Sequence, residues 1–161
     1  MRISLKCLVW IFGIVFIIIL IASALLAGCD VQDNQNVTLL ASNPTGNEVT
    51  SADFSVVNPD ATLSPFTIPN NKAFVVTDMD ITFANASPDR IVYVQLLLID
   101  GNLLASFQDA TMADANGDGG LHASLTTGVE IGQNTEFGVR ATSGDVQNPS
   151  GIVVSLHGYI K

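Results

Sequence analysis

The residues that could do chemistry in this chain are few, and the densest group is the string DANGDGG at positions 114–120. Asp114, Asn116 and Asp118 stand at alternate positions before Gly119, which fits the first half of a calcium loop, D-x-[DN]-x-[DN]-G. Calcium takes oxygen ligands, and three such side chains converge on one ion when the backbone curls around it. The second half of the pattern fails, because the twelfth position counted from Asp114 is Leu125, where an EF-hand needs a bidentate glutamate. A different calcium site would borrow Asp109, Glu130 or backbone carbonyls. The competing reading is an inter-strand loop turned by Asn116-Gly117 and Gly119-Gly120, its acids solvated.

A second candidate is the pair Asp78 and Asp80, which share one face of an extended segment about 7 Å apart. Two carboxylates at that separation could bind a cation or share a proton, or simply face solvent. His122 and His157 are the two histidines, far apart in sequence and without the close spacing of a zinc motif. The expectation is one half-buried, hydrogen-bonded histidine and one exposed. Tyr159 lies two residues beyond His157 on the same strand face, and if the strands pair so that Asp78 or Asp80 is nearby it is the best glycan candidate in the chain, against the reading of an ordinary packed tyrosine with its hydroxyl at the rim. No G-x-S-x-G elbow, phosphate-binding loop or dinucleotide fingerprint is present, so nothing calls for a hydrolase, a metalloenzyme or any other enzyme.

The elements that must position these residues are strands. AFVVTDMDITFAN, from Ala73, alternates with period two, placing Val75, Thr77, Met79, Ile81 and Phe83 on one face and Val76, Asp78, Asp80 and Thr82 on the other. IVYVQLLLI is apolar on both faces and is expected to lie centrally, covered on both sides. Asp100-Gly101-Asn102 supplies a hairpin turn into LLASFQD. HASLTTGVEI, TEFGVRATSG and GIVVSLHGYIK read as further strands, separated by turn clusters such as NASPD, IGQN and SGDVQNPSG. VTLLAS and ADFSVV read as edge strands, with NPTGN and NPDATLSP as loops. Beyond the apolar N-terminus no segment shows the three-four spacing of an amphipathic helix. The expected fold is all-β: an antiparallel β-sandwich, jelly-roll-like, of about eight strands, following an N-terminal signal helix.

That N-terminus carries Arg2 and Lys6, then the apolar run CLVWIFGIVFIIILIASALLA, then Leu26-Ala27-Gly28-Cys29-Asp30. LAGC resembles the lipobox of bacterial lipoproteins. The resemblance implies cleavage before Cys29, a lipid on the Cys29 sulfur as membrane anchor, and a place in the cell envelope outside the cytoplasm, with Asp30 favouring the inner membrane if the source is Gram-negative. The expected division is a signal peptide at 1–28, the lipidated cysteine and a polar tether at 29–36, and the β-sandwich at 37–161. An uncleaved signal anchor would also export the remainder. Residues 66–161 loosely resemble small exported β-sandwich proteins of bacteria, which implies a fold and not a function.

The 161 residues carry 15 acidic and 6 basic side chains, a formal charge of −9. Two basic residues, Arg2 and Lys6, precede Cys29 and every acidic residue follows it, so cleavage there leaves four basic against 15 acidic groups, or −11. Such a surface repels nucleic acid and favours cations or basic partners. Cys7 and Cys29 are the two cysteines, leaving none for a disulfide in the body. Taken together, the sequence leads us to expect a lipid-anchored envelope protein acting as a non-enzymatic binding or assembly module, with an envelope protein as partner. The alternative is a carbohydrate-binding module, with or without calcium, whose partner is a glycan, and a hydrolase or metalloenzyme ranks third.

Overall fold

A computed structural model describes residues 34–161 apart from Gly101, Asp145 and Val146. The predicted signal helix, Cys29 and most of the tether lie outside the described residues. Ten strands follow one another: β1 (Gln35–Asn43), β2 (Glu48–Thr50), β3 (Ser55–Val57), β4 (Leu63–Pro65), β5 (Ala73–Ala84), β6 (Ile91–Asp100), β7 (Asn102–Met112), β8 (Gly119–Gly132), β9 (Glu136–Ser143) and β10 (Ser150–Ile160). Among the described residues the one helix is a single 3-10 turn, Ser51–Asp53.

All pairings are antiparallel, in a six-stranded sheet of order β4-β3-β1-β10-β5-β8 and a four-stranded sheet of order β2-β9-β6-β7. The first and last strands lie side by side in the larger sheet, and the chain passes repeatedly from one sheet to the other. This is the jelly-roll-like antiparallel sandwich expected from the sequence. The turn clusters do what their composition suggests: Asn71, Asn85, Asp89 and Asn134 all adopt positive φ, which their short polar side chains tolerate.

The core lies between the sheets. Leu39 from β1, Met79 and Ile81 from β5, Val92, Val94 and Leu96 from β6, Val139 from β9 and Leu156 from β10 are all buried there. Truncating a fully buried side chain such as Leu156 costs about 2–5 kcal/mol, so these positions hold the two layers together.

Three strand expectations change. VTLLAS becomes β1 and ADFSVV holds β3, and neither is an edge strand: β1 lies between β3 and β10, and β3 lies between β1 and β4, the actual edge, whose residues Leu63–Pro65 fall in the stretch NPDATLSP expected to be a loop. β6 is central in its sheet but its outer side is covered only in part: Val92 and Val94 are buried in the core, while Ile91 and Tyr93 are 54% and 39% exposed and Leu97, the residue after the core residue Leu96, is 1% exposed. A two-layer sandwich has no third layer to cover the outer side, whatever the hydropathy of the strand.

The third change concerns β5. His157 pairs with Asp78, but the next residue, Gly158, pairs with Val76, so Thr77 is an extra residue. On the other side Val76 pairs with Val129 and Asp78 with Ser124, leaving residues 125–128 of β8 looped out, with Gly128 at φ 69°. This bulge reverses the alternation. Phe74 and Val76 therefore join Met79, Ile81 and Phe83 in the core, and Val75 moves to the outer side opposite Tyr159 and Glu130.

Candidate binding face

The outer side of the six-stranded sheet assembles the scattered candidates into rows. Reading from β1 to β8, one row is Thr38–His157–Asp78–Ser124, the next is Leu40–Ser155–Asp80–His122, and a third, beyond the bulge, is Asn36–Tyr159–Val75–Glu130. Directly opposed residues in antiparallel strands point to the same side, so each row is a line of neighbouring side chains. Tyr159, His157, Asp78 and Asp80, the four residues singled out as a ligand patch, do share this face.

Asp80 sits between the two histidines. Its Oδ1 is 2.8 Å from His122 Nδ1 and its Oδ2 is 3.4 Å from His157 Nε2, the second contact within ion-pair reach. A carboxylate only accepts, so in the 2.8 Å contact His122 Nδ1 is the donor. The other nitrogen of His157, Nδ1, is 3.1 Å from the Thr38 hydroxyl, within hydrogen-bond distance. His157 is half-buried and hydrogen-bonded and His122 is exposed, as expected from their positions.

Asp78 is served by hydroxyls. Ser124 Oγ donates to its Oδ1 at 2.7 Å and Thr77 Oγ1 to its Oδ2 at 2.8 Å. The Ser124 hydroxyl first, then that of Thr77, hold the Asp78 carboxyl below the usual carboxylate range, and His122 and His157 act in the same direction. At the far end of the face Lys161 Nζ donates to Glu130 Oε2 at 2.6 Å, which raises the lysine above its ordinary value.

Thr38, Thr77, Ser124 and Ser155 were not singled out from the sequence. A signal for two of them, Ser124 and Ser155, exists: D-M-D at 78–80, H-A-S at 122–124 and S-L-H at 155–157 are three polar-apolar-polar triplets, each with its middle residue buried. Their alignment depends on strand order, which a pattern within one strand does not carry.

The DANGDGG loop sits at another place, between β7 and β8. Asp114 Oδ1 accepts from the backbone N–H of Asn116 at 2.7 Å and of Asp118 at 2.9 Å, and the Asp114 N–H donates to the Asp118 carbonyl at 2.8 Å. The Asp118 and Asn116 amides lower the Asp114 carboxyl from its ordinary value. Gly117, at φ 85°, donates to the Asp114 carbonyl, and its own carbonyl accepts from Ala86 at 2.9 Å. A Cβ at Gly117 would stand 2.2 Å from the Ala86 carbonyl oxygen, so glycine is required where the loop docks on the β5–β6 connection. Asp114 thus works as a clasp within the loop. Of the acids that could have joined it, Glu130 lies at the opposite end of β8 beside Lys161, and the Asp109 carboxylate accepts from the neighbouring Ala110 N–H. Among the described residues no group of three or more histidine, cysteine, aspartate or glutamate side chains is arranged to hold a metal ion.

The fold and this face define an acidic jelly-roll-like sandwich with a polar, histidine-bearing outer sheet. In sequence the chain matches no family profile and no curated protein. Among solved structures it is similar to the core of Drosophila NLP, described in terms of pentamer formation and histone binding, at 13% identity over 78% of this chain and 98% of that one, with a TM-score of 0.37. It is similar to the globular domain of zebrafish complement 1qA, at 15% identity over 79% of this chain and 96% of that one, with a TM-score of 0.38. A cowpea mosaic virus empty particle gives 13% identity over 76% of this chain and 78% of that one, with a TM-score of 0.37. At TM-scores this low the likenesses carry no argument about what this chain does.

Proposed function

We propose that this chain is a non-enzymatic binding module, held outside the cytoplasm by a lipid on Cys29, that meets an envelope partner through the outer face of its six-stranded sheet. The observation that supports this reading is a separation. The ionisable side chains that could move protons, Asp78, Asp80, His122 and His157, stand on an open sheet, with the side chains of Asp80, His122 and His157 at 49%, 63% and 41% exposure. A cavity at one end of the sandwich, bounded by Phe66, Gln133 and their neighbours, has no ionisable side chain in its walls. Acid-base catalysis needs the two together, in a site that excludes water and fixes the substrate. An open polar face instead offers donors, acceptors and negative charge to a basic or hydroxyl-rich surface.

The contact is tested by placing a photo-crosslinking residue at Thr82 or Ser155 on the face and, as a control, at Leu63 on the edge strand β4. The expected result is a discrete adduct in intact cells from the face positions alone. Equal labelling from Leu63, or none from the face, removes the reading. Turnover of chromogenic ester, phosphomonoester or glycoside substrates that disappears in His157→Gln would replace it with an enzyme. The anchor is tested separately: Cys29→Ser is expected to abolish lipidation and leave the unprocessed chain detectable by mass, and mature-length protein from that variant would end the lipobox assignment.

A further inference from the structure

The cavity that plays no part in that face has a chemistry of its own. It is an open depression of about 660 Å³, bounded by the 3-10 turn after β2, the connection from β4 to β5, and the turn from β8 to β9. In a chain of net charge −9, every polar side chain lining it is neutral: Ser51, Thr67, Asn70, Gln133, Asn134 and Thr135. Hydroxyls and carboxamides both donate and accept, so together they suit a ligand whose own groups do both and which carries no charge.

The apolar part is rigid. Phe66 and Phe137 line the cavity, with ring centroids 6.4 Å apart and edge-to-face; Phe137 is only 2% exposed, so the half-buried Phe66 supplies the aromatic surface that a ligand can meet. Phe66 also meets Phe74 edge-on at 5.4 Å, and Phe137 stacks on Phe54 at 5.3 Å, so neither ring can turn away without breaking core contacts. The polar rim is partly tied as well. Gln133 Nε2 donates to Asn70 Oδ1 at 2.6 Å and its Oε1 accepts from the Asn71 N–H at 3.2 Å, joining two of the three walls. Asn134 is held at φ 65° by the turn that the Thr135 N–H closes on the Gly132 carbonyl. Among the described residues the hydroxyls of Ser51 and Thr67 and the side-chain amide of Asn134 have no protein partner; Thr67 and Asn134 are exposed, so a ligand meeting them would replace solvent.

We infer that this cavity is a binding site for a neutral saccharide. A sugar ring presents alternating hydroxyl donors and acceptors at its edge, matching the amides and hydroxyls, and an apolar C–H face that packs on a fixed aromatic surface. The inference does not rest on the outer sheet face, and either can fail without the other.

The test is isothermal titration of the full-length protein, in a detergent without sugar headgroups, with the β-1,4-linked N-acetylglucosamine trimer, cellotriose, maltotriose and mannotriose. Saturable binding of at least one is expected, weakened at least about ten-fold in Thr67→Ala and in Asn134→Gly, the latter keeping the positive φ while removing the amide. Asp80→Asn is expected to bind as the wild type does. The inference is overturned if none of the four binds, if the two cavity variants bind unchanged, or if Asp80→Asn alone loses binding, which would place the sugar on the outer face. Displacement of the bound trisaccharide by neutral peptides at equal concentration would overturn its specificity for saccharides.

Discussion

His122 Nδ1 and Asp80 Oδ1 stand 2.8 Å apart across the β5–β8 pair, and the second oxygen of the same carboxylate faces His157 across the β5–β10 pair. One carboxylate therefore couples three neighbouring strands. Asp80→Ala is expected to shift the ring resonances of both imidazoles together in an NMR spectrum, although the two histidines are 35 residues apart in the chain. The melting temperature should change little, because exposed ion pairs contribute about 0–1 kcal/mol. A response from one ring alone would show that the bridge is not formed in solution.

Asp78 and Asp114, together with Asp60 held by Thr62, should contribute acid sensitivity. The Asp78 and Asp114 carboxyls are lowered in the folded chain from an ordinary value of 3.8, the first by the hydroxyls of Ser124 and Thr77, the second by the amides of Asp118 and Asn116. A carboxyl lowered by folding adds stability above its unfolded value, and that stability is lost as pH falls through the folded value. Thermal melts from pH 6 downward should therefore show the midpoint falling below about pH 4. The fall should be shallower in Asp78→Asn and in Asp114→Asn. Curves parallel to the wild type would mean that neither carboxyl is held low by its partners.

The clasp in DANGDGG makes a separate prediction. Asp114→Ala releases the Asn116 and Asp118 amides and should lower the melting midpoint by a few degrees in EDTA, with no metal present. If the variant melts like the wild type in EDTA but loses a saturable rise that calcium gives the wild type, the carboxylate serves an ion and not the loop.

The β5 bulge rests on a close approach of backbones. A Cβ at Gly158 would stand 1.9 Å from the Val75 carbonyl oxygen, whereas a Cβ at Gly144 meets nothing within 4 Å. Gly158→Ala should cost on the order of 3 kcal/mol or more, as overpacking against backbone does, and Gly144→Ala about 0.5 kcal/mol or less. Denaturant melts of the two variants check this, and similar midpoints would mean that the sheet can shift at Gly158.

Strands β5 to β10 were legible in the sequence because half-buried strands such as β5 write their burial into alternate residues, because β6 is a short continuous apolar run, and because asparagine, aspartate and glycine mark the places where φ turns positive. The short β2, β3 and β4 were harder to read, since three residues hold barely one period. The bulge at Thr77 was invisible, as it depends on how β8 and β10 each pair with β5.

The candidate face was half legible. Asp78, Asp80, His157 and Tyr159 could be assigned to strand faces from period two alone, and the sequence by itself determined that these residues, an acidic surface and an all-β body belong to one chain. Only the tertiary structure decided that β10 and β8 flank β5. That order brings His157 and His122 to the two oxygens of Asp80, and it leaves Asp114 and Glu130 at opposite ends of the sheet. The cavity between Phe66 and Gln133 was decided the same way. Its walls come from three segments distant in sequence, joined by packing of Phe54, Phe66, Phe74 and Phe137, and no local pattern records which aromatic rings meet. Periodicity encodes which side of a strand is wet, while strand order and register arise from contacts between segments far apart in the chain.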